Sequence, residues 1–161
     1  MIIRKILVSD ALEFIKFFKK ILSETDYLLP VSFDITEEEE KEVIGKFNDN
    51  KNVFLALDES DIVGFVGVTK NQTQKRQHVA DFTIAVLQSH QKKGIASMLL
   101  SEAEKFLKGL GVIKLEISVV EENEKARKFY YKHKFLEEGV KHKSMNINGK
   151  LHNEICLYKL L

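Results

Sequence analysis

The spacing of hydrophobic positions along this chain switches repeatedly between two and three-to-four residues, and each switch marks an element. Ile2 to Val8 reads as a first strand. Ser9 or Asp10 then supplies an N-cap for a helix running to about Ser23, with Leu12, Ile15, Phe14 or Phe18, and Leu22 on its apolar side. Residues 24 to 35 form a loop around Pro30 that mixes apolar groups with acids, a composition suited to lining a substrate pocket. Thr36 followed by Glu39 is a capping box opening a helix from Glu37 to Phe47. Val53 to Leu57 and Ile62 to Thr69 are strands joined by the turn-forming Asp58-Glu59-Ser60-Asp61.

After the polar loop Lys70 to Gln77, His78 begins a third antiparallel strand that ends in the apolar run Phe82 to Leu87. A helix from Lys92 to Lys108 places Ile95, Met98, Leu99, Ala103 and Phe106 on one face, and Gly109 and Gly111 stop it. Ile113, Leu115, Ile117 and Val119 alternate along a strand from Val112 to Val119. Asn123 caps a last helix, Glu124 to His133. Phe135 to Ile147 and Leu151 to Leu160 close the chain as a hairpin about Asn148-Gly149, the strongest short hairpin signal a sequence offers. Strand, helix and strand in succession imply a right-handed crossover and a parallel pair. The pattern therefore predicts an α+β (mixed α/β) fold, one mixed sheet with helices on its faces.

Length and composition narrow the reading. The 161 residues suit a single domain, 1–161, with a core that needs no disulfide. Twenty-five Lys and Arg against 24 Asp and Glu leave a formal charge of +1, which gives no global reason to expect nucleic acid as a partner. Cys156 is the only cysteine, and no cationic-then-apolar leader opens the chain, so the expected compartment is the cytoplasm. The apolar stretch Ala11 to Leu22 is too short and too charged to span a membrane, and no membrane partner or metal is expected.

Candidate chemistry centres on Gln91-Lys92-Lys93-Gly94-Ile95-Ala96, between an apolar strand and an amphipathic helix. A helix N-terminus presents unpaired N–H groups and the positive end of the helix dipole, and glycine lets an anion approach closely. The stretch therefore suggests a phosphate-bearing ligand. Glu37 to Glu40 sit where the dipole favours negative charge. Together with Glu24, Asp26 and Asp34 they also form an acidic cluster that can attract a cationic molecule.

Two motifs then bring a family into view. Gln91-x-x-Gly94-x-Ala96 after the strand Ile84-Ala85-Val86 resembles the Gln/Arg-x-x-Gly-x-Gly/Ala signature of the GNAT acyl-CoA-dependent N-acyltransferases. Asn123-x-x-Ala126-x-x-Phe129-Tyr130, with Phe135 five residues on, resembles their second motif. The order of elements is similar over nearly the whole chain. The resemblance implies a GNAT fold: a largely antiparallel sheet of about seven strands with a central parallel pair and about four helices. It implies acetyl-CoA as cosubstrate, its pyrophosphate on the amides from Gln91 through Lys92, Lys93, Gly94 and Ile95 to Ala96. It places the pantetheine arm on the backbone of Ile84, Ala85 and Val86 and on Asn123. Tyr130 would lie near the thioester sulfur as the acid toward the leaving thiolate.

The chain departs from the family at Lys134, where glycine commonly precedes the phenylalanine. It departs again at Leu151 and Asn153, where the otherwise similar spermidine acetyltransferases have an aromatic residue and an aspartate after the Asn-Gly pair.

Within this resemblance His78 has a suitable intrinsic pKa for a general base, with Asp81, Glu116 or a water chain as rivals. The acceptor pocket is expected between the loop Glu24 to Ile35, with Tyr27, Leu28 and Asp34, and the closing hairpin. The acidic cluster favours a small cationic amine such as a polyamine as acceptor. An amino-acid-like amine or a protein N-terminal amine is the alternative. A GNAT module that binds acyl-CoA without turnover is the reading of another class, against which Tyr130 argues. The exposed strands of the hairpin leave room for a homodimer.

Overall fold

The computed structural model describes residues 1–161. Seven strands form one sheet: β1 (Ile2–Lys5), β2 (Lys51–Asp58), β3 (Asp61–Lys70), β4 (Val79–Val86), β5 (Lys114–Val120), β6 (Leu136–Ile147) and β7 (Lys150–Leu160). Four helices accompany them: α1 (Ala11–Glu24), α2 (Glu37–Gly45), α3 (Ile95–Gly109) and α4 (Glu124–Lys132). The spatial order is β1-β2-β3-β4-β5-β7-β6. Only β4 and β5 run parallel, as a strand-helix-strand crossover through α3 requires.

Period-two alternation sorts the strand residues into two cores. Phe54 and Ala56 of β2 and Val66 and Val68 of β3 face the side covered by α3, whose Ile95, Leu99, Leu100, Ala103 and Leu107 are buried. Val53, Leu55 and Leu57, with Phe65, face the opposite side and pack on Phe14, Phe17, Phe18 and Ile21 of α1. Helix α3 alone buries four large aliphatic side chains at about 1.5–3 kcal/mol each, a gross gain of roughly 6–12 kcal/mol. That far exceeds the ~1 kcal/mol cost of the left-handed backbone at Lys92 (φ +62°) in the turn leading into it.

Three details of the expected helices change. A 3-10 turn at Val8–Asp10 precedes α1, and Asp10 does not cap the helix. Its carboxylate instead accepts the Leu7 amide at 2.7 Å and both terminal nitrogens of Arg4 at 2.7 and 2.8 Å. The turn sets the helix so that Ile21 is buried and Leu12 lies 43% exposed, contrary to the expected apolar side. Met98 is likewise exposed, because the buried stripe of α3 runs through Ile95, Leu99, Leu100, Ala103 and Leu107 and Met98 lies off it. In α2 the capping box forms as its sequence dictates, with Thr36 N–H donating to Glu39 at 2.8 Å and Glu39 N–H to Thr36 Oγ1 at 3.3 Å.

The C-termini of α3 and α4 end alike but with different residues. In α3 the Val112 amide donates to Leu107 C=O at 3.1 Å and the Gly111 amide to Lys108 C=O at 3.0 Å, with Gly111 at φ +75°. In α4 the Phe135 amide donates to Tyr130 C=O at 3.0 Å and the Lys134 amide to Tyr131 C=O at 3.0 Å, with Lys134 at φ +67°. Both are the paired-bond left-handed termination, and in α4 its hydrophobic contact is Tyr130 against Phe135, centroids 5.4 Å apart. Lys134 adopts the glycine conformation without being glycine. Lys134→Gly is therefore expected to raise unfolding stability by up to ~1 kcal/mol in a urea titration. A loss of stability would show that the Lys134 side chain contributes more than its backbone costs.

Candidate active site

The site begins at the N-terminus of α3. Gly94 takes φ +81°, ψ 0°, and its carbonyl accepts the first helical bond, from Met98 N–H at 3.1 Å. The amides of Ile95, Ala96 and Ser97 consequently have no helical partner. A β-carbon placed on Gly94 meets nothing within 4 Å, so open space lies over these donors. Unpaired amides, the positive end of a 15-residue helix and that open space fit a phosphate. The Gln91 side chain has a structural part beside them. Its Nε2 donates to Val86 C=O at 2.9 Å and its Oε1 accepts from Lys125 Nζ, which ties the end of β4 to α4.

Next to this terminus the parallel strands separate. They pair only at Val79–Lys114, Ala80–Leu115 and Asp81–Glu116. Beyond that point β4 runs on to Val86 and β5 to Val120 with no bonds between them, so Phe82 to Val86 present strand edge to an open slot. Phe82, the first residue past the paired stretch, meets Tyr130 and Phe135, each at 5.7 Å between ring centroids. Asn123 opens α4 by accepting the Ala126 amide at 3.2 Å.

A cavity of about 910 Å³ follows the slot. Tyr130 borders it while only 4% exposed, and its hydroxyl makes no hydrogen bond within the protein. Burial pushes the phenol above its ordinary pKa, so it stays protonated and acts as a donor.

At its other end the cavity opens on a polar face. Strand register carries the side of Phe65 across the sheet through Ala85, Thr83 and Asp81 of β4 and Glu116 and Ser118 of β5 to Cys156 and Glu154 of β7. Helices α1 and α2 cover this side only over β1 to β3, which leaves these polar residues exposed to the cavity. Glu116 is held by Lys114 at 2.8 Å and Arg76 at 3.2 Å. Partial desolvation beside the sheet, and then the like charge of Glu116, raise the carboxyl of the otherwise exposed Asp81 above its ordinary value.

Of the residues singled out from the sequence, Ile84, Ala85, Val86, Gln91, Lys92, Gly94, Ile95, Ala96, Asn123 and Tyr130 come together around this cavity, with Tyr27 and Leu28 at its side. Three do not. His78 lies at the far end of β4 from Val86, exposed, its carbonyl engaged by the amides of Ile113 and Lys114 at 2.8 and 3.0 Å. Asp34 points to solvent because the adjacent Phe33 packs on Phe18 at 4.6 Å. Lys93 is exposed on the turn and does not line the cavity.

The acidic cluster also disperses. Glu37 pairs with Lys41, Glu39 caps its helix and Glu40 is 3% exposed, so none reaches the cavity. Glu24 does, and its carboxylate accepts the Gln88 amide at 2.8 Å. Ser118, Lys141 and Glu154 also border the cavity without having been singled out. Ser118 was detectable, because it alternates with Ile117 and Val119 on β5. Lys141 was not: β6 carries an extra residue between Glu137 and Gly139, which reverses the face of everything beyond it.

Residues 15–135 match the Acetyltransferase (GNAT) family. The chain belongs to that family. An L-amino acid N-acetyltransferase of Escherichia coli is 34% identical over 97 residues, 60% of this chain and 60% of the relative, so the similarity spans little more than half of each protein. A GNAT acetyltransferase from Streptococcus pneumoniae superposes with a TM-score of 0.92 at 28% identity, over 99% of both chains. The yncA protein of Salmonella typhimurium, solved with its cofactor acetyl-CoA, shares the fold at a TM-score of 0.85 and 13% identity, over 100% of this chain and 94% of that one.

The fit of the α3 terminus to a phosphate has a direct test. Coenzyme A should raise the melting temperature of the wild type in a thermal-shift measurement, since a ligand bound only to the native state stabilises it. Gly94→Glu should remove that shift by placing bulk and negative charge over the free amides. A shift retained in the variant would locate the phosphate elsewhere.

Proposed function

We propose that the protein transfers the acetyl group of acetyl-CoA to a primary amine, by direct attack with both substrates bound. The observation that carries this reading is the continuity of one cavity from the amides at Ile95 to Ser97, past the Tyr130 hydroxyl, to the carboxyls of Asp81 and Glu116. Acetyl-CoA supplies an activated thioester. The chain's own residues bind, orient and handle protons. The amides at the α3 terminus hold the pyrophosphate, and the open edge of β4 from Ile84 to Val86, with Asn123 across the slot, holds the extended arm. The amine nitrogen forms its bond to the acetyl carbon as the carbon–sulfur bond breaks. The amine gives up a proton toward Asp81, directly or through water. The Tyr130 hydroxyl donates to the departing sulfur, which balances the exchange.

Asp81 takes the base role here in preference to His78, because it lies in the cavity and His78 does not. The name of the Escherichia coli relative supports an amino-acid-like acceptor. The carboxylates of Asp81 and Glu154 at the acceptor end support a cationic one such as a polyamine. The Tyr130 hydroxyl, unpartnered at the cavity wall, favours turnover over an acyl-CoA-binding module without chemistry.

Two experiments test the mechanism. Tyr130→Phe should lower kcat by roughly 100-fold or more in a free-thiol release assay while coenzyme A still raises the melting temperature. Unchanged turnover would remove Tyr130 from the reaction. The pH profile tests Asp81. Its ionised form accepts the proton, so the rate falls as pH drops through its raised pKa. Glu116→Gln removes one cause of that elevation, and the acid limb of kcat/KM should move to lower pH. A limb that stays in place would exclude Asp81 as the base.

A further inference from the structure

The polar face at the acceptor end holds one cation, Lys141, that feels the charge of Asp81 but forms no ion pair with it. The extra residue in β6 before Gly139 puts Lys141 on the same side as its cross-strand partner Glu154, and hence on the side of Ser118 and Asp81. From there Lys141 reaches over β7 to β5, where its Nζ donates to Ser118 Oγ at 2.8 Å. That is its only hydrogen bond, and it forms no ion pair even though Asp81, Glu116 and Glu154 border the same cavity. Glu116 is already committed to Lys114 and Arg76. An ammonium has three donors, so two remain without a protein partner.

The position is built rather than incidental. Just beyond Lys141 the strand bulges, with Lys143 at φ +51°. The bulge is pinned by Ser144 Oγ donating to Lys141 C=O at 3.1 Å and by the Lys143 amide donating to Asn153 Oδ1 at 3.0 Å. Asn153 in turn holds the β5–α4 corner, its Nδ2 donating to Glu121 at 3.0 Å and its carbonyl accepting the Glu121 amide at 3.0 Å. The backbone that carries Lys141 is thus fastened to the corner leading into Asn123.

Spacing decides what such a pair of charges recognises. Asp81 stands beside Glu116 in the parallel register, and Ser118 is two residues farther along β5. Two residues are about 6.6 Å along a strand and one strand spacing about 4.8 Å across it, so the backbones of Asp81 and Ser118 lie roughly 8 Å apart. With Lys141 Nζ resting on Ser118 Oγ, an ammonium and a carboxylate separated by one or two carbons can lie with the first toward Asp81 and the second toward Lys141. A polyamine would instead bring a second ammonium toward Lys141.

We infer that Lys141 is a specificity-determining residue that binds a carboxylate of the acceptor, and that the acceptor is a small amino acid-like zwitterion with its amine toward Asp81. The inference rests on the reading of the protein as an amine acetyltransferase. The test is thiol release from acetyl-CoA with pairs of L-amino acids and their carboxamides (alanine, leucine, phenylalanine and glutamine), together with isopentylamine and spermidine.

The wild type should prefer the acid of at least one pair by about 10- to 100-fold in kcat/KM, the scale of one charge-assisted contact. Lys141→Met should collapse that ratio toward one, and Lys141→Arg should restore most of it. Acetyl-CoA thermal shifts of both variants verify that they are folded. A wild type that acetylates amides, isopentylamine or spermidine as well as the acids overturns the role of Lys141 and leaves the acetyltransferase reading standing. A ratio unchanged in Lys141→Met does the same. No transfer to any amine, with the coenzyme shift intact, overturns the acetyltransferase reading and the role of Lys141 with it.

Discussion

The parting of β4 from β5 after three paired residues is the constraint on which the rest depends. Parallel strands would ordinarily continue their ladder, and stopping it leaves the backbone groups of Phe82 to Val86 that face β5 without a strand partner, while those facing β3 stay paired. The three rings of Phe82, Tyr130 and Phe135 meet where the ladder stops, all within the buried core on the α3 side. Tyr130 and Phe135 are joined by the helix termination at Lys134 as well as by their ring contact. A local choice at the end of α4 therefore helps fix the width of a slot several elements away. The same slot brings an unsatisfied strand edge, a phosphate-ready helix terminus and an unpartnered hydroxyl into one cavity.

The sheet divides labour between its faces. On the α3 side, alternate residues of the central strands are apolar and packed, with only Ile84, Val86 and Ile117 beside the slot partly exposed among β4 and β5. On the other side the aromatic cluster of α1 covers only the first three strands. Past their edge the same alternation yields Asp81, Thr83, Glu116, Ser118 and Glu154, residues that would be costly to bury without partners and are affordable only beside a solvated cavity. The proposed acceptor end of the site is in this sense the part of the sheet that the first two helices do not reach.

Much of this was legible in the residue pattern because it depends on local chemistry. The capping box at Thr36 and the Asn148-Gly149 turn follow from what one or two residues permit, whereas the left-handed Lys134 runs against its own residue preference. The two motifs around Gly94 and Asn123 were readable for the same reason. What failed was set by tertiary packing. Whether Leu12 or Ile21 is buried depends on a 3-10 turn that rotates α1. The four glutamates looked like a field until helix packing buried Glu40 and capping engaged Glu39. His78 had suitable chemistry at the wrong end of its strand. Lys141 was hidden by a single extra residue that exchanges the two faces of β6, a change no alternation count can detect.

The slot also lets one cavity reach both faces of the sheet. The cavity is lined from the α3 and α4 side by Gly94, Ala126 and Phe129, and from the α1 side by Ile21, Glu24 and Tyr27. On the proposed reading, coenzyme and acceptor would meet from opposite faces of the sheet, and a compound lodged against Asp81 and Lys141 would leave the amides at Ile95 to Ser97 unobstructed.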